Sequence, residues 1–359
     1  MMSEEFNATR IFLASTREPP QNVCMSMDQF QWLSTYQPPY MWFIFVLGFI
    51  ENLFVISVFI LHKNRCTVAE IYLGNMVFSD LILVSSLPFW ATTLSNNFYW
   101  PFGSFLCKAI SSTIQINVYS SIYFLMMVSV DRYLALVKTM SIGRLRRPRW
   151  AKVNCATIWI FATLLTSPTM VLRRAMFNEF LNTTACLAQQ VPGWNLATKI
   201  NLNILGFLVP LVIIAFCTFQ IISVLRNNAM QQFKEVNKEK KATWLVLAVL
   251  LVFIVCWLPF HISTFLDIME DFNVFPPCTV DSFNHVFTQI STYIAYSNSC
   301  INPVMYIMVG NHFRKKAKEV YTRLLCRGSE RRKLSFPTVE STNLSQISSS
   351  MERKNKSIA

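Results

Sequence analysis

The sequence predicts an all-α membrane protein, a seven-transmembrane helix bundle with a short amphipathic cytoplasmic helix after the last span. Three observations predict it. Hydrophobic residues make up 53% of the 359, and 14% are charged, against about 25% charged in an ordinary soluble domain. Seven apolar stretches each reach the roughly 20 residues that a bilayer core requires. Lys and Arg collect in alternate connections between those stretches, the pattern that sets orientation in a membrane.

The spans run roughly over residues 40–62, 69–95, 104–130, 150–172, 196–225, 242–266 and 284–309. Four regions follow: an extracellular N-terminus at 1–39, the bundle at 40–309, the amphipathic cytoplasmic helix at 310–326 and a disordered cytoplasmic tail at 327–359. The opening residues "MMSEEFNATRIFLASTREPPQ" lack a basic region followed by a long apolar core, so a cleavable signal peptide is not expected. On one side of the bundle lie Arg10, Arg17, Arg173, Arg174 and Lys199, and the 92–106 and 267–283 connections carry no Lys or Arg. On the other lie Lys63, Arg65, "GRLRRPRWAK", the run from Arg226 to Lys241 and "FRKKAKEVYTRLLCRGSERRK". The N-terminus is therefore expected outside and the tail in the cytoplasm, in the plasma membrane.

The formal charge of +13 would suit nucleic acid, but its distribution argues against that partner. The basic residues form a collar on the cytoplasmic side, where anionic lipids and protein partners meet it. The outer side leans acidic, with Glu4, Glu5, Glu18, Asp28, Glu179, Asp267, Glu270, Asp271 and Asp281. An acidic mouth favours a cationic ligand; the plainer reading is a solvated surface.

Four of the ten cysteines fall on the outer side: Cys24, Cys107, Cys186 and Cys278. They permit two disulfides in three connectivities. Joining Cys107 to Cys186 would pin the longest outer loop over the bundle, and Cys24 with Cys278 would tie the N-terminus to the last outer loop. Asn7 and Asn182 head outer glycosylation sequons. The sequons at Asn343 and Asn355 fall on the cytoplasmic side. Cys326, just after the amphipathic stretch, is a palmitoylation candidate.

Ionisable groups inside a span cost about 2.5–3.5 kcal/mol at a helix centre. This chain keeps Glu51 and Asp80 there. Asp80, Asn117, Ser121, Asn298 and Asn302 would converge on one hydrated cavity. Such a carboxylate, ringed by amides and hydroxyls, suits a small hard cation or a proton, or forms a structural hydrogen-bond network with no ion. Pro88, Pro168, Pro210, Pro259 and Pro303 each interrupt a span, removing a backbone hydrogen bond and loosening the helix.

With Asn52, Asp80, "DRY" at 131–133, Trp159, Pro210, "CWLP" at 256–259 and "NPVMY" at 302–306 in this order, the chain resembles the rhodopsin-like G-protein-coupled receptors along nearly its whole length. "HKNRCTVAEIYLGN", "DRYLALVKTMS", "SVLRNNAMQQFKE", "CWLPFHISTFLD" and "AYSNSCINPVMYIMVG" are similar to segments of the bradykinin (kinin) receptor branch, type-2-like. The resemblance implies a kinin peptide ligand with arginine at both ends. It also implies a heterotrimeric G protein, chiefly Gq acting through phospholipase C and calcium, with some Gi coupling. An angiotensin-like peptide receptor is the nearest alternative.

By resemblance, Asp267 meets a peptide arginine, and Trp90, Asn117, Phe260, Thr264, Gln289 and Tyr296 lie deeper in the ligand site. A second acidic position of the family is His285 here, which neutral near pH 7 cannot pair in the same way. Either Asp281 or Asp271 takes over, or the preferred peptide differs. In the implied switch, Asp131 pairs with Arg132 beside Tyr133 at rest. Phe253 and Trp257 on the Pro259-kinked helix transmit a swing, and Asn302, Pro303 and Tyr306 repack. The Asp80 cavity holds an allosteric sodium ion at rest and collapses on activation; no other cofactor and no structural metal is expected. Arg132 and Met140 face the G protein. Ser335, Thr338, Ser341, Thr342, Ser345, Ser348, Ser349 and Ser350 are phosphorylation candidates in the tail; receptor kinases would charge them and recruit arrestin.

Other classes fit less well. A transporter or channel would show repeated halves, and none is evident. An enzyme is not expected, because His62, His261, His285 and His312 are too scattered for a nucleophile–base pair or metal ligands.

Overall fold

The structure is a computed structural model and describes residues 27–62, 66–137, 147–179, 182–189, 191, 193–227, 234–274, 281–309 and 313–323. Seven long helices form the bundle. They are α1 (Met27–Leu61), α2 (Val68–Ser95), α3 (Gly103–Leu136), α4 (Pro148–Leu172), α5, α6 (Lys234–Asp271) and α7 (Asp281–Val309). Helix α5 runs from Trp194–Asn203 through a π-helical turn at Ile204–Leu208 into Val209–Asn227. Residues 313–323 are also helical. The helices outrun the apolar stretches at several ends. Helix α6 starts at Lys234 and ends at Asp271, and α1 starts at Met27 and passes through Pro38 and Pro39.

Helix α3 packs against α2, α4, α5 and α6, while α1 touches α7 and closes the ring. Its surface is inverted relative to a soluble protein. Phe43, Ile160, Leu164, Phe219, Leu251 and Val255 are exposed, whereas Asp80, Asn117, Asn298 and Asn302 are buried. Hydrocarbon is the natural solvent of the first set, and the polar set gains partners only inside the bundle. Among the described residues, six helices are long and apolar enough to cross a membrane. Helix α7 is as long, but it spends positions on Thr288, Gln289, Ser291, Thr292, Asn298, Ser299 and Asn302, all buried. Its polarity faces inward, so it completes a seven-helix bundle.

Local signals explain the elements at the two ends of the bundle. Thr67 and Glu70 form a reciprocal capping box at the start of α2, satisfying two end N–H groups. The α4–α5 connection is a hairpin, β1 (Arg173–Asn178) against β2 (Thr183–Ala188), in antiparallel register from Arg173↔Ala188 to Asn178↔Thr183. Cys107 on α3 is bonded to Cys186 on β2, with Cα atoms 5.5 Å apart. The Trp100 N–H adds a backbone bond to the Thr184 carbonyl at 2.8 Å. Asn182 sits exposed at the hairpin turn with φ 46°, a left-handed conformation that Asn tolerates.

The π turn has a local cause. Pro210 has no N–H to return to the preceding turn, and the Val209 N–H reaches back to the Ile204 carbonyl. That shift frees the Leu205 carbonyl, which accepts the Tyr123 hydroxyl of α3 at 2.9 Å. Gly206 completes the contact: a Cβ there would lie 3.0 Å from the Tyr123 neighbour Tyr119.

Candidate functional site

Asp80 on α2 lies at the centre of a polar cluster joining α2, α3 and α7. Its side chain is 1% exposed. Its Oδ1 accepts from Asn117 Nδ2 at 3.0 Å, from Ser299 Oγ at 3.0 Å and from Ser121 Oγ at 3.4 Å. Its Oδ2 accepts from Asn302 Nδ2 at 3.0 Å, and the same amide donates to Asn298 Oδ1 at 3.1 Å. Asn52 Nδ2 on α1 donates to the Ser299 carbonyl at 2.8 Å. The five residues expected to converge are thus brought together. Ser299 is an addition that its place beside Asn298 on the same helix turn would have signalled. The oxygens of Asp80, Ser121 and Ser299 are hard donors of the kind a small alkali cation takes, so the residues fit the expected ion.

Towards the hairpin, a cavity of about 50 Å³ opens between α2, α3, α6 and α7. Trp90, Phe260 and Tyr296 line it as expected, with Trp257 at its floor. Gln115, Thr169 and Arg173 line it too. The sequence reading passed over these three, although a glutamine within the apolar run of α3 was itself a signal. The other expected contacts stand apart from this lining. Asn117 spends its amide on Ser79, Asp80 and Ser121. Gln289 Oε1 accepts from Gln37 Nε2 at 2.6 Å. The Thr264 hydroxyl donates to the Phe260 carbonyl at 2.9 Å, and Asp267 Oδ1 accepts from Asn284 Nδ2 at 2.5 Å. Helix α7 carries the backbone of His285, but that side chain and Asp281's lie outside the described residues. Asp271, the other acid considered as a stand-in, is held by Lys199 Nζ at 2.8 Å.

Below the cavity runs an aromatic column on α6. Phe253 stacks on Trp257 at 5.9 Å, Trp257 meets Phe260 edge-on at 5.9 Å, and His261 stacks on Phe207 of the π turn at 4.2 Å. Pro259 lies within this stretch of α6, where its missing N–H leaves the helix ladder open. The column therefore links the cavity to the Pro259 stretch of α6 and to Phe207 of α5. At the bundle end away from the hairpin, Arg132 Nη2 pairs with Asp131 Oδ2 at 2.8 Å, and both side chains are nearly buried. Such a pair offsets the cost of two desolvated charges only while both partners stay in place. Tyr133 packs on Phe216 of α5 at 5.8 Å, and Pro303 is buried within α7. Met140, the side chain of Tyr306, Cys24, Cys278, Asn7, Cys326 and the tail serines and threonines lie outside the described residues.

Residues 51–306 match the family of 7 transmembrane receptors (rhodopsin family). The B2 bradykinin receptor of Cavia porcellus is 55% identical over 312 residues, which cover 85% of this chain and 82% of that one. The human B2 bradykinin receptor is 53% identical over 312 residues, 86% of this chain and 80% of that one. The B1 bradykinin receptor of Chlorocebus pygerythrus is 40% identical over 277 residues, 76% of this chain and 79% of that one.

Proposed function

The chain belongs to the rhodopsin family of seven-transmembrane receptors, in its bradykinin-receptor branch, and from that premise we propose that it is a cell-surface receptor for kinin peptides. It signals through a heterotrimeric G protein, chiefly Gq acting on phospholipase C and calcium, with some Gi coupling. The observation that carries this reading is the identity above half to B2 receptors over more than four-fifths of both chains, with the cavity, the Asp80 cluster and the Arg132 pair spaced along one bundle.

The N-terminus and hairpin face outward and the tail inward, with residues 1–39 outside and residues 327–359 as the phosphorylated cytoplasmic tail. A kinin enters at the hairpin end, its arginines directed to the acidic end of α6 at Asp267. Contact at Trp257 tilts the stacked column, and α6 swings about Pro259. The Asp80 cluster, whose Asp80, Ser121 and Ser299 oxygens would hold a sodium ion at rest, then closes as Asn302, Pro303 and Tyr306 repack. Arg132 leaves Asp131 and enters the cleft taken by the G protein, with Met140 beside it. Each step needs a ligand that binds the two states unequally, since equal affinity shifts nothing. Kinases and arrestin end the signal at the tail.

The test is a calcium-mobilisation screen of kinin and angiotensin peptides in transfected cells. The expected result is a response to kinins. Silence to every kinin at verified surface expression would overturn the ligand assignment, and a response to angiotensin peptides alone would move the chain to that branch.

A further inference from the structure

The outer end of α6 carries two carboxylates that their neighbours treat differently. Asp267 and Asp271 stand one helical turn apart on α6, a spacing that puts both on one side of the helix. Asn284 of α7 donates its amide to Asp267 at 2.5 Å, a partner that brings no charge. Lys199 of α5 sets its ammonium on Asp271 at 2.8 Å, and both side chains of that pair are largely shielded from solvent. Asp271 is also one of the two acids that the sequence offers in place of His285. The fold has given it a resident cation instead.

A guanidinium that arrives at this end of α6 therefore meets two acids on unequal terms. At Asp271 it has to displace an ammonium of its own sign, so one ion pair is exchanged for another and little is gained. Like charges brought together also disfavour the approach. From this arrangement we infer that Lys199 is a specificity-determining residue: by occupying Asp271 it limits the carboxylates that α6 offers to a ligand's arginine, and so sets how strongly a cationic peptide end is preferred. The inference rests on the kinin reading, in which an arginine is directed to Asp267, and adds the residue that tunes that preference. It has an electrostatic pattern that a packing role lacks. Removing the ammonium leaves the pair negative, removing the carboxylate leaves it positive, and removing both leaves it neutral, as it began.

Competition binding on cells expressing the full-length receptor tests it. The probes are one kinin and two analogues in which citrulline, a neutral isostere of arginine, replaces either the N-terminal or the C-terminal arginine. The readout is the ratio of affinities, arginine over citrulline, at measured surface expression; the end whose ratio moves is the end that meets α6. Lys199→Met should raise that ratio about tenfold, because Asp271 becomes available for a charge-assisted bond. Asp271→Asn should lower it, because the Lys199 ammonium is then uncompensated and repels a guanidinium. The double variant, Lys199→Met with Asp271→Asn, should return the ratio close to that of the unmodified receptor. Ratios that stay unchanged at both ends in Lys199→Met and Asp271→Asn overturn the inference, and so does an equal loss of arginine and citrulline peptides, which a purely structural pair would give. If Lys199→Met fails to reach the surface, the other two variants decide. A fall in Asp271→Asn that the double variant reverses supports the masking role, and a fall that persists makes Asp271 a direct arginine contact and overturns it. Absence of kinin binding by the unmodified receptor would instead overturn the ligand assignment on which the inference stands.

Discussion

Asp80 shows how much a single buried side chain depends on its neighbours. Four donors from α3 and α7 converge on its two oxygens, and losing one would leave a buried polar group unsatisfied. If the cluster also holds sodium at rest, then raising sodium should weaken agonist binding, because the ion favours the resting state. Replacing NaCl with the chloride of a large organic cation should therefore raise agonist affinity in the unmodified receptor and have little effect in Asp80→Asn. Equal sodium responses in the two proteins would remove the ion from the mechanism. His285 poses the other question at this scale. His285→Asp should strengthen the response to arginine-ended peptides severalfold in a calcium assay, since a carboxylate near a guanidinium adds a charge-assisted bond. No change would put position 285 outside the ligand site.

Helix α5 is held to its neighbours by three separate devices. Tyr123 caps the carbonyl freed by the π turn, His261 stacks on Phe207, and Lys199 pairs with Asp271 near the hairpin end. The Lys199–Asp271 side chains are 10% and 15% exposed, so solvent screens them less than a surface pair. Lys199→Met should cost roughly 1–3 kcal/mol by leaving Asp271 without its ammonium, seen as a lower Tm of the detergent-solubilised receptor. The charge-reversed double variant, Lys199→Asp with Asp271→Lys, should recover part of that loss. If Lys199→Met melts at the unmodified temperature, the pair is a surface contact of little weight. None of these devices was legible along the chain. Lys199 and Asp271 lie 72 positions apart, and the π turn follows from how Pro210, Gly206 and Tyr119 meet. Pro210 was legible, because a proline carries a local chemical constraint whatever surrounds it; Cys107 and Cys186 were legible only as one pairing among three connectivities, and the fold joined them.

For the whole molecule, the proposed orientation, with the N-terminus outside, rests on the distribution of Lys and Arg. An epitope tag at the N-terminus should be stained on intact cells, and one at the C-terminus only after permeabilisation. The reverse pattern would invert the receptor and with it the assignment of the hairpin end to the ligand. By itself the sequence determined the number of spans, their order and the expected convergence on Asp80. Apolar length and positive charge act additively over a window of neighbouring residues, so they can be read without knowing the fold. Tertiary structure alone decided which donor meets which acceptor: Ser299 on Asp80, Thr169 on Gln115, Lys199 on Asp271. Hydrogen bonds and ion pairs are short-ranged and directional, and their partners here come from different helices. Only once the helices are packed do these donors and acceptors come within bonding distance.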